Sequence, residues 1–224
     1  NNRCNKAVNG VSFDVKRGQT LCIVGESGCG KSVTASTIMQ LLPRLSRIEE
    51  GSVTYSSATG DVRIDQLERN GPEMRRIRGS EIAMIFQDPM TALNPVYTVG
   101  YQIAESLRYH TDLDTIQIKA RVIELLANMG IPLPEQRAEE YPHNYSGGMR
   151  QRAMIAMAMS CNPKILIADE PTTALDVTIQ SQIFELMEKL KTENETAIML
   201  ITHDMGVVAE LADDVAVMYM GNIV

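Results

Sequence analysis

Lys31 and Ser32 close the stretch Gly25-Glu26-Ser27-Gly28-Cys29-Gly30-Lys31-Ser32, whose residue types and spacing suit the grip of a phosphate chain. Glycines let the backbone curl tightly and turn successive N–H groups inward, and the start of a helix adds partial positive charge. Lys31 supplies a full charge, and the Ser32 hydroxyl is of the type that holds Mg2+. The flanks are those such a loop requires: the apolar run Leu21-Cys22-Ile23-Val24 precedes it as a strand, and Val33-Thr34-Ala35-Ser36-Thr37-Ile38-Met39 follows as a helix. The loop points to a nucleoside triphosphate and leaves open what its energy is used for.

A second group of residues stands at the ends of apolar runs further along. Asp169 and Glu170 follow Ile165-Leu166-Ile167-Ala168, Gln87 follows the run at 81–86, and His203 follows the run at 197–201. In a parallel sheet covered by helices, ligands gather outside the C-terminal strand ends, which is where all four fall. Asp169 fits the carboxylate that holds Mg2+, and the adjacent Glu170 fits one that polarises water for attack on a γ-phosphate. Gln87 and His203 are expected to contact the γ-phosphate or that water. Alone, each has an ordinary explanation as a solvated strand terminus or a surface loop residue. Together, beside a phosphate loop, they favour chemistry.

The elements that position these groups follow from apolar spacing. Val11, Phe13 and Val15 alternate with Ser12 and Asp14 and predict a half-buried strand, turning at 16–19 into the strand at 20–24. The helix after the loop is expected to end near Leu42, because Pro43 cannot continue it. A strand-like run begins at 51–55, residues 56–80 are polar and broken, and 81–86 returns as a buried strand. From Thr91 to about Asn144 the apolar residues recur at three- and four-residue spacing over 99–108 and 115–129, predicting a helical insertion of about fifty residues. Helix resumes after Ser146-Gly147-Gly148 up to Asn162-Pro163, with a methionine-rich side that reads as core. Strands at 165–168, 197–201 and 215–219 and an amphipathic helix at 179–190 complete a largely parallel, helix-covered α/β sheet.

Composition narrows the class. The 224 residues are 44% hydrophobic and 22% charged, enough for a buried core, and no apolar run approaches the ~20 residues of a membrane span. The start of the chain has no hydrophobic segment resembling a signal peptide, which implies a cytosolic location. A net charge of −7, no Trp and three Phe argue against a nucleic-acid partner, which needs a basic face and stacking platforms. Cys4, Cys22, Cys29 and Cys161 show no metal-ligand spacing and read as reduced, structural thiols.

The set formed by 25–32, Gln87, Tyr145-Ser146-Gly147-Gly148-Met149, 165–170, Ala174-Leu175-Asp176 and His203 resembles, in order and spacing, the nucleotide-binding domains of ATP-binding cassette (ABC) transporters. The stretches 74–79, 85–95, 146–152 and 168–178 are similar to the ATPase subunits of bacterial dipeptide, oligopeptide and nickel importers. The resemblance implies a single ABC ATPase domain of the P-loop NTPase class, with a mainly parallel sheet core, an N-terminal antiparallel β portion and an inserted helical subdomain. Residues 1–90 and 163–224 would form the core and 91–162 the helical subdomain. It also implies ATP and Mg2+ as cofactors, the Mg2+ held by Ser32, Asp169 and Gln87. Ser146, Gly147 and Gly148 would bind the γ-phosphate of a second ATPase subunit, and Asp176 would contact that subunit. Gln87 would couple the nucleotide to transmembrane permease subunits on the cytoplasmic side of the membrane, with a solute-binding protein as an indirect partner. Helix-start N–H groups suit an anion, while a plain N-cap by Ser146 accounts equally for the residues alone.

The sequence departs from the family pattern at three places. Tyr145 and Met149 stand where Leu and Gln are usual, no aromatic residue precedes Phe13 to stack on adenine, and the sequence stops at Val224, where peptide-importer subunits continue into a cysteine-bearing extension. A truncated chain is the expectation. A soluble ABC-type ATPase of DNA repair or translation is the alternative. The repair type carries a long coiled coil where only positions 88–145, 58 residues, separate Gln87 from Ser146, and the translation type shows two cassettes. A non-catalytic nucleotide clamp is argued against by Glu170 and His203.

Overall fold

The computed structural model describes residues 6–88, 92–172 and 175–224. Cys4, the Pro89-Met90-Thr91 part of one motif and the Thr173-Ala174 part of another lie outside the described residues. Six strands form one sheet: β1 (Thr20–Val24), β4 (Ile82–Ile85), β5 (Ile165–Asp169), β6 (Ala197–Ile201), β7 (Asp214–Tyr219) and β8 (Asn222–Ile223), in the order β4-β5-β6-β1-β7-β8. All neighbours are parallel except the closing pair β7–β8. A separate antiparallel hairpin joins β2 (Thr54–Ser57) to β3 (Gly60–Arg63).

Both faces of the sheet are covered, which is why its strands read as continuous apolar runs. On β1, Leu21 and Ile23 pack on one side with α1 (Lys31–Ile38), the hairpin residue Tyr55 and Met74 of α2 (Pro72–Arg76). Cys22 and Val24 face the other side, where the main core gathers. That core is built by α3 (Val99–His110), α4 (Thr115–Asn128), α6 (Gly147–Met159), α7 (Val177–Asn194) and α8 (Met205–Leu211). A short α5 (Pro134–Ala138) packs against α3 and α4. Local chemistry starts these helices: Thr98 caps α3, and Asp114 with Gln117 forms a capping box on α4.

Three expectations are corrected. Residues 11–15 alternate in burial as the spacing requires, yet they form no strand; Val11, Phe13 and Val15 pack on the core edge without a ladder partner. Alternation reports one-sided burial, which a segment lying on the core achieves without ladder hydrogen bonds. Helix α1 stops at Ile38 instead of Leu42, because Gln40 turns left-handed (φ 49°) and Arg78 takes the carbonyls of Met39 and Gln40, at 2.9 and 3.1 Å. The polar stretch at 56–80 is not irregular throughout: it holds the rest of the β2–β3 hairpin and α2. Its short hairpin strands bury few residues, so the apolar pattern is weak there.

Candidate nucleotide site

The loop after β1 folds against the chain so closely that two of its residues have to be glycine. A Cβ on Gly25 (φ 157°) would lie 2.1 Å from the Met218 carbonyl oxygen, and one on Gly30 (φ 110°) 2.5 Å from that of Ala7. The loop therefore wraps Lys31, which is buried at 7% exposure, and its Nζ donates to the carbonyls of Gly25 (2.7 Å) and Glu26 (2.9 Å). The Cys29 thiol lies 4.0 Å from the same ammonium. No acidic side chain stands in the first turn of α1, so the partial positive charge of its N-terminus is not offset there.

Register brings the strand ends to one level. Asp169 pairs with Ile201, Ile201 with Ile23, and Ala168 with Ile85. Gln87 and Glu170, each two residues past the Ile85–Ala168 pair, consequently meet: Gln87 Nε2 donates to Glu170 Oε2 at 3.0 Å. The other oxygen, Glu170 Oε1, lies 3.4 Å from His203 Nδ1. Thus two residues singled out by the sequence, Gln87 and His203, converge on the carboxylate of a third, Glu170. Glu170 is only 16% exposed while His203 is 65% exposed, so the carboxylate is sheltered and the imidazole reaches outward.

Two features mark this turn as under constraint. Glu170 has φ 45°, a left-handed conformation that costs a non-glycine residue about 1–3 kcal/mol unless its surroundings enforce it. Beside it Asp169 is buried at 4% exposure, and its Oδ1 has no hydrogen-bond partner among the described residues. Burial pushes the Asp169 carboxyl above the usual carboxylate range; the Ser32 hydroxyl bond opposes that rise, the Glu170 charge adds to it, and the Lys31 charge opposes it. Ser32, Asp169 and Lys31 therefore stand within one electrostatic neighbourhood.

The remaining sequence-predicted residues are elsewhere. Ser146 caps α6, accepting from the Met149 N–H at 3.3 Å, and Ser146 and Gly147 are exposed. A Cβ on Gly147 would meet nothing within 4 Å. Tyr145 is buried and its hydroxyl donates to the Arg137 carbonyl at 2.7 Å, so this departure from the family pattern is an anchored core residue. Asp176, exposed, caps α7 through the Ile179 N–H at 3.1 Å. Glu26, Ser27 and Gly28 form the exposed crest of the loop. Cys22, Cys29 and Cys161 are free thiols; burial, then the Asp213 charge, pushes Cys22 up to about 11. Two residues escaped the sequence reading: Gln151 and Gln180, whose amides hold the carbonyls of Pro171 and Thr172 just past Glu170. A glutamine inside an apolar helix face at 151 is the one sequence signal that marks the first of them.

Comparison with known proteins agrees with this geometry. A protein-family model described as ABC transporter matches residues 8–173. The chain is 53% identical over 217 residues to the dipeptide transport ATP-binding protein DppD of Bacillus subtilis, covering 96% of this chain and 63% of that protein. It is also 53% identical over 220 residues to the oligopeptide transport ATP-binding protein OppD of the same organism, covering 98% and 60%. The chain thus spans about three fifths of the length of these relatives. Among solved structures, the dimeric post-hydrolysis state of the ATP-binding cassette MJ0796 bound to ADP and Pi superposes with a TM-score of 0.84 at 29% identity, covering 97% of this chain and 88% of that one. The family match over most of its length, together with these relatives, identifies the chain as belonging to the ABC transporter family.

Proposed function

We propose that this chain is the ATP-hydrolysing subunit that powers an ABC importer, with peptides as the imported solute. The observation that carries the reading is the convergence of Gln87 and His203 on the two oxygens of Glu170, one residue past the buried Asp169. Lys31 binds the β- and γ-phosphates of ATP when its ammonium exchanges the loop carbonyls for phosphate oxygens. Glu170 accepts the proton of the attacking water, while Gln87 and His203 hold its carboxylate in place. The oxygen donors Ser32 and Asp169 fit a hard divalent cation, and Asp169 Oδ1 is a buried acceptor without a hydrogen-bond partner among the described residues. Mg2+ held by Ser32 and Asp169 would supply charge neutralisation for the β- and γ-phosphates.

A second subunit completes the site. Gly147 is a glycine that nothing among the described residues requires, on an exposed helix start rich in N–H groups, which suits close approach by the phosphate held in a partner. The neighbouring structure of MJ0796 is itself dimeric. Residues 1–90 and 163–224 act as the core and 91–162 as a helical subdomain, supported by α3–α6 with no strand among the described residues between β4 and β5. The chain works at the cytoplasmic side of the membrane against permease subunits; no helix of the described residues is long and apolar enough to cross a membrane. Peptide is favoured as solute by the 53% identity to peptide-import proteins.

Glu170→Gln tests the reading. Hydrolysis should fall by at least about two orders of magnitude with ATP binding retained, since only the proton acceptor is lost. With ATP the variant should accumulate as a dimer in size-exclusion chromatography with light scattering, and adding Ser146→Arg should return it to a monomer that still binds ATP. Full ATPase activity in Glu170→Gln removes Glu170 from the mechanism. A monomer at every concentration counts against the shared site.

A further inference from the structure

The turn that follows Glu170 is held by amide side chains from two different helices. Gln151, in the middle of α6 and fully buried, donates through Nε2 to the Pro171 carbonyl. Gln180, near the start of α7, donates through Nε2 to the Thr172 carbonyl at 3.1 Å, and the Leu175 N–H donates to the same oxygen at 3.0 Å. On the sheet side, the Glu170 N–H donates to the Ile201 carbonyl at 2.9 Å. Glu170 sits between these holds in its left-handed conformation, which persists only where the surroundings over-determine it. Gln151 is also a poor choice for packing alone, because its Oε1 is buried with no partner among the described residues. An apolar side chain of the same length would remove that orphan but leave the buried Pro171 carbonyl without its donor, so the amide serves the turn and not the packing.

We propose that Gln151 and Gln180 are positioning residues that lock the turn at 170–172 and so aim the Glu170 carboxylate. The proposal rests on the reading of Glu170 as the group that activates water. Neither glutamine touches the reacting atoms. Gln151 lies on the helix that begins at Ser146-Gly147-Gly148, so a displacement of α6 when a partner seats on its tip reaches the carboxylate of the same chain through one side chain. Gln180 ties the same turn to the helix capped by Asp176.

The test uses Gln151→Met and Gln180→Met, which keep length and volume and remove the amide. ATP hydrolysis by each should show kcat lowered about ten- to a hundredfold, the cost of a misaimed catalytic group, while KM for ATP stays within about twofold. Thermal unfolding should be unchanged. A purely structural role would not predict the decisive arm: in a Glu170→Gln background, Gln151→Met should alter the residual turnover by less than about twofold, because the group it aims is gone. Parental kcat in both single variants overturns the proposal, and so does an undiminished loss in the Glu170→Gln background. Should Gln151→Met fail to fold, the half-buried Gln180→Met carries the same comparison. A parental chain without ATPase activity counts against the hydrolytic reading alone. The clamp is then read by hydrogen exchange in nucleotide-free protein, where Gln151→Met should accelerate exchange of the Glu170 amide about tenfold and an unchanged rate overturns it.

Discussion

At the strand ends, Gln87 and His203 each meet a carboxylate oxygen of Glu170 and Lys31 bonds to its own loop, whereas at the start of α6 the exposed Ser146 caps its own helix and Gly147 faces open space. The first region is shaped from within. Its glycines are required by Met218 and Ala7, its Glu170 is strained into place, and its Asp169 is buried at the end of a strand. In the second region Ser146 is explained by its cap and Gly148 by Leu175, whose Cδ2 would lie 3.3 Å from an added Cβ, whereas nothing among the described residues meets a Cβ on Gly147. A site whose residues are explained by intrachain contacts differs from a surface whose residues are not, and the latter is where a partner should be sought.

The largest test of that contrast is Lys31→Ala. Removing the charge that meets the phosphates should weaken ATP binding at least about tenfold and abolish hydrolysis, because a charge-assisted contact is worth roughly twice a neutral one. Unchanged ATP affinity by titration calorimetry would sink the assignment of the loop. A pair of glycine substitutions sharpens the comparison between regions. Gly25→Ala forces a Cβ onto the Met218 carbonyl and should lower thermal stability by about 1–3 kcal/mol, the range of overpacking. Gly147→Ala, at a helix start open to solvent, should leave stability unchanged or slightly raised, yet cut ATPase activity by obstructing the partner's approach. Equal stability losses in the two variants would erase the distinction drawn here.

The smallest effect concerns Asp213, which fastens β1 from outside the site. It accepts from the Thr20 N–H at 2.7 Å and from Lys191 at 3.3 Å. The Thr20 bond, then Lys191 against some desolvation, holds its carboxyl below the ordinary value of 3.8. With the folded value depressed, the unfolded chain binds the proton more readily. The stabilisation is therefore present above pH 3.8 and is lost as pH falls through the lower, folded value. The carboxylate is 41% exposed, so solvent screening limits the effect, and Asp213→Asn should cost under about 1 kcal/mol at pH 7. Urea unfolding of both proteins from pH 7 downward should show the gap closing below pH 3.8; a gap that widens would contradict the direction of the shift.

Local signals carried far in this chain where one segment settles its own structure. The runs that became β1, β5 and β6 are apolar for four or five residues and end in Gly25, Asp169-Glu170 and Thr202-His203, so strand, stop and candidate chemistry were readable together. The same patterns mislead at 11–15, where one-sided burial on the core comes without a ladder among the described residues, and at the end of α1, where Arg78 reaches back 38 and 39 residues. The run starting at 51–55 anticipates β2, but β3 goes unmarked, because its residues are mostly exposed and leave a faint pattern.

By itself, then, the sequence determined which residues stand at the ends of buried strands, since apolar runs and glycine spacing act within a few residues. Only the tertiary structure decided that β4 lies beside β5, which sets Gln87 on Glu170 across 83 positions of chain. It alone turned Glu170 left-handed and put Gln151 behind it. Strand order and the packing of α6 are sums over many distant contacts, and no short stretch of residues encodes such a sum.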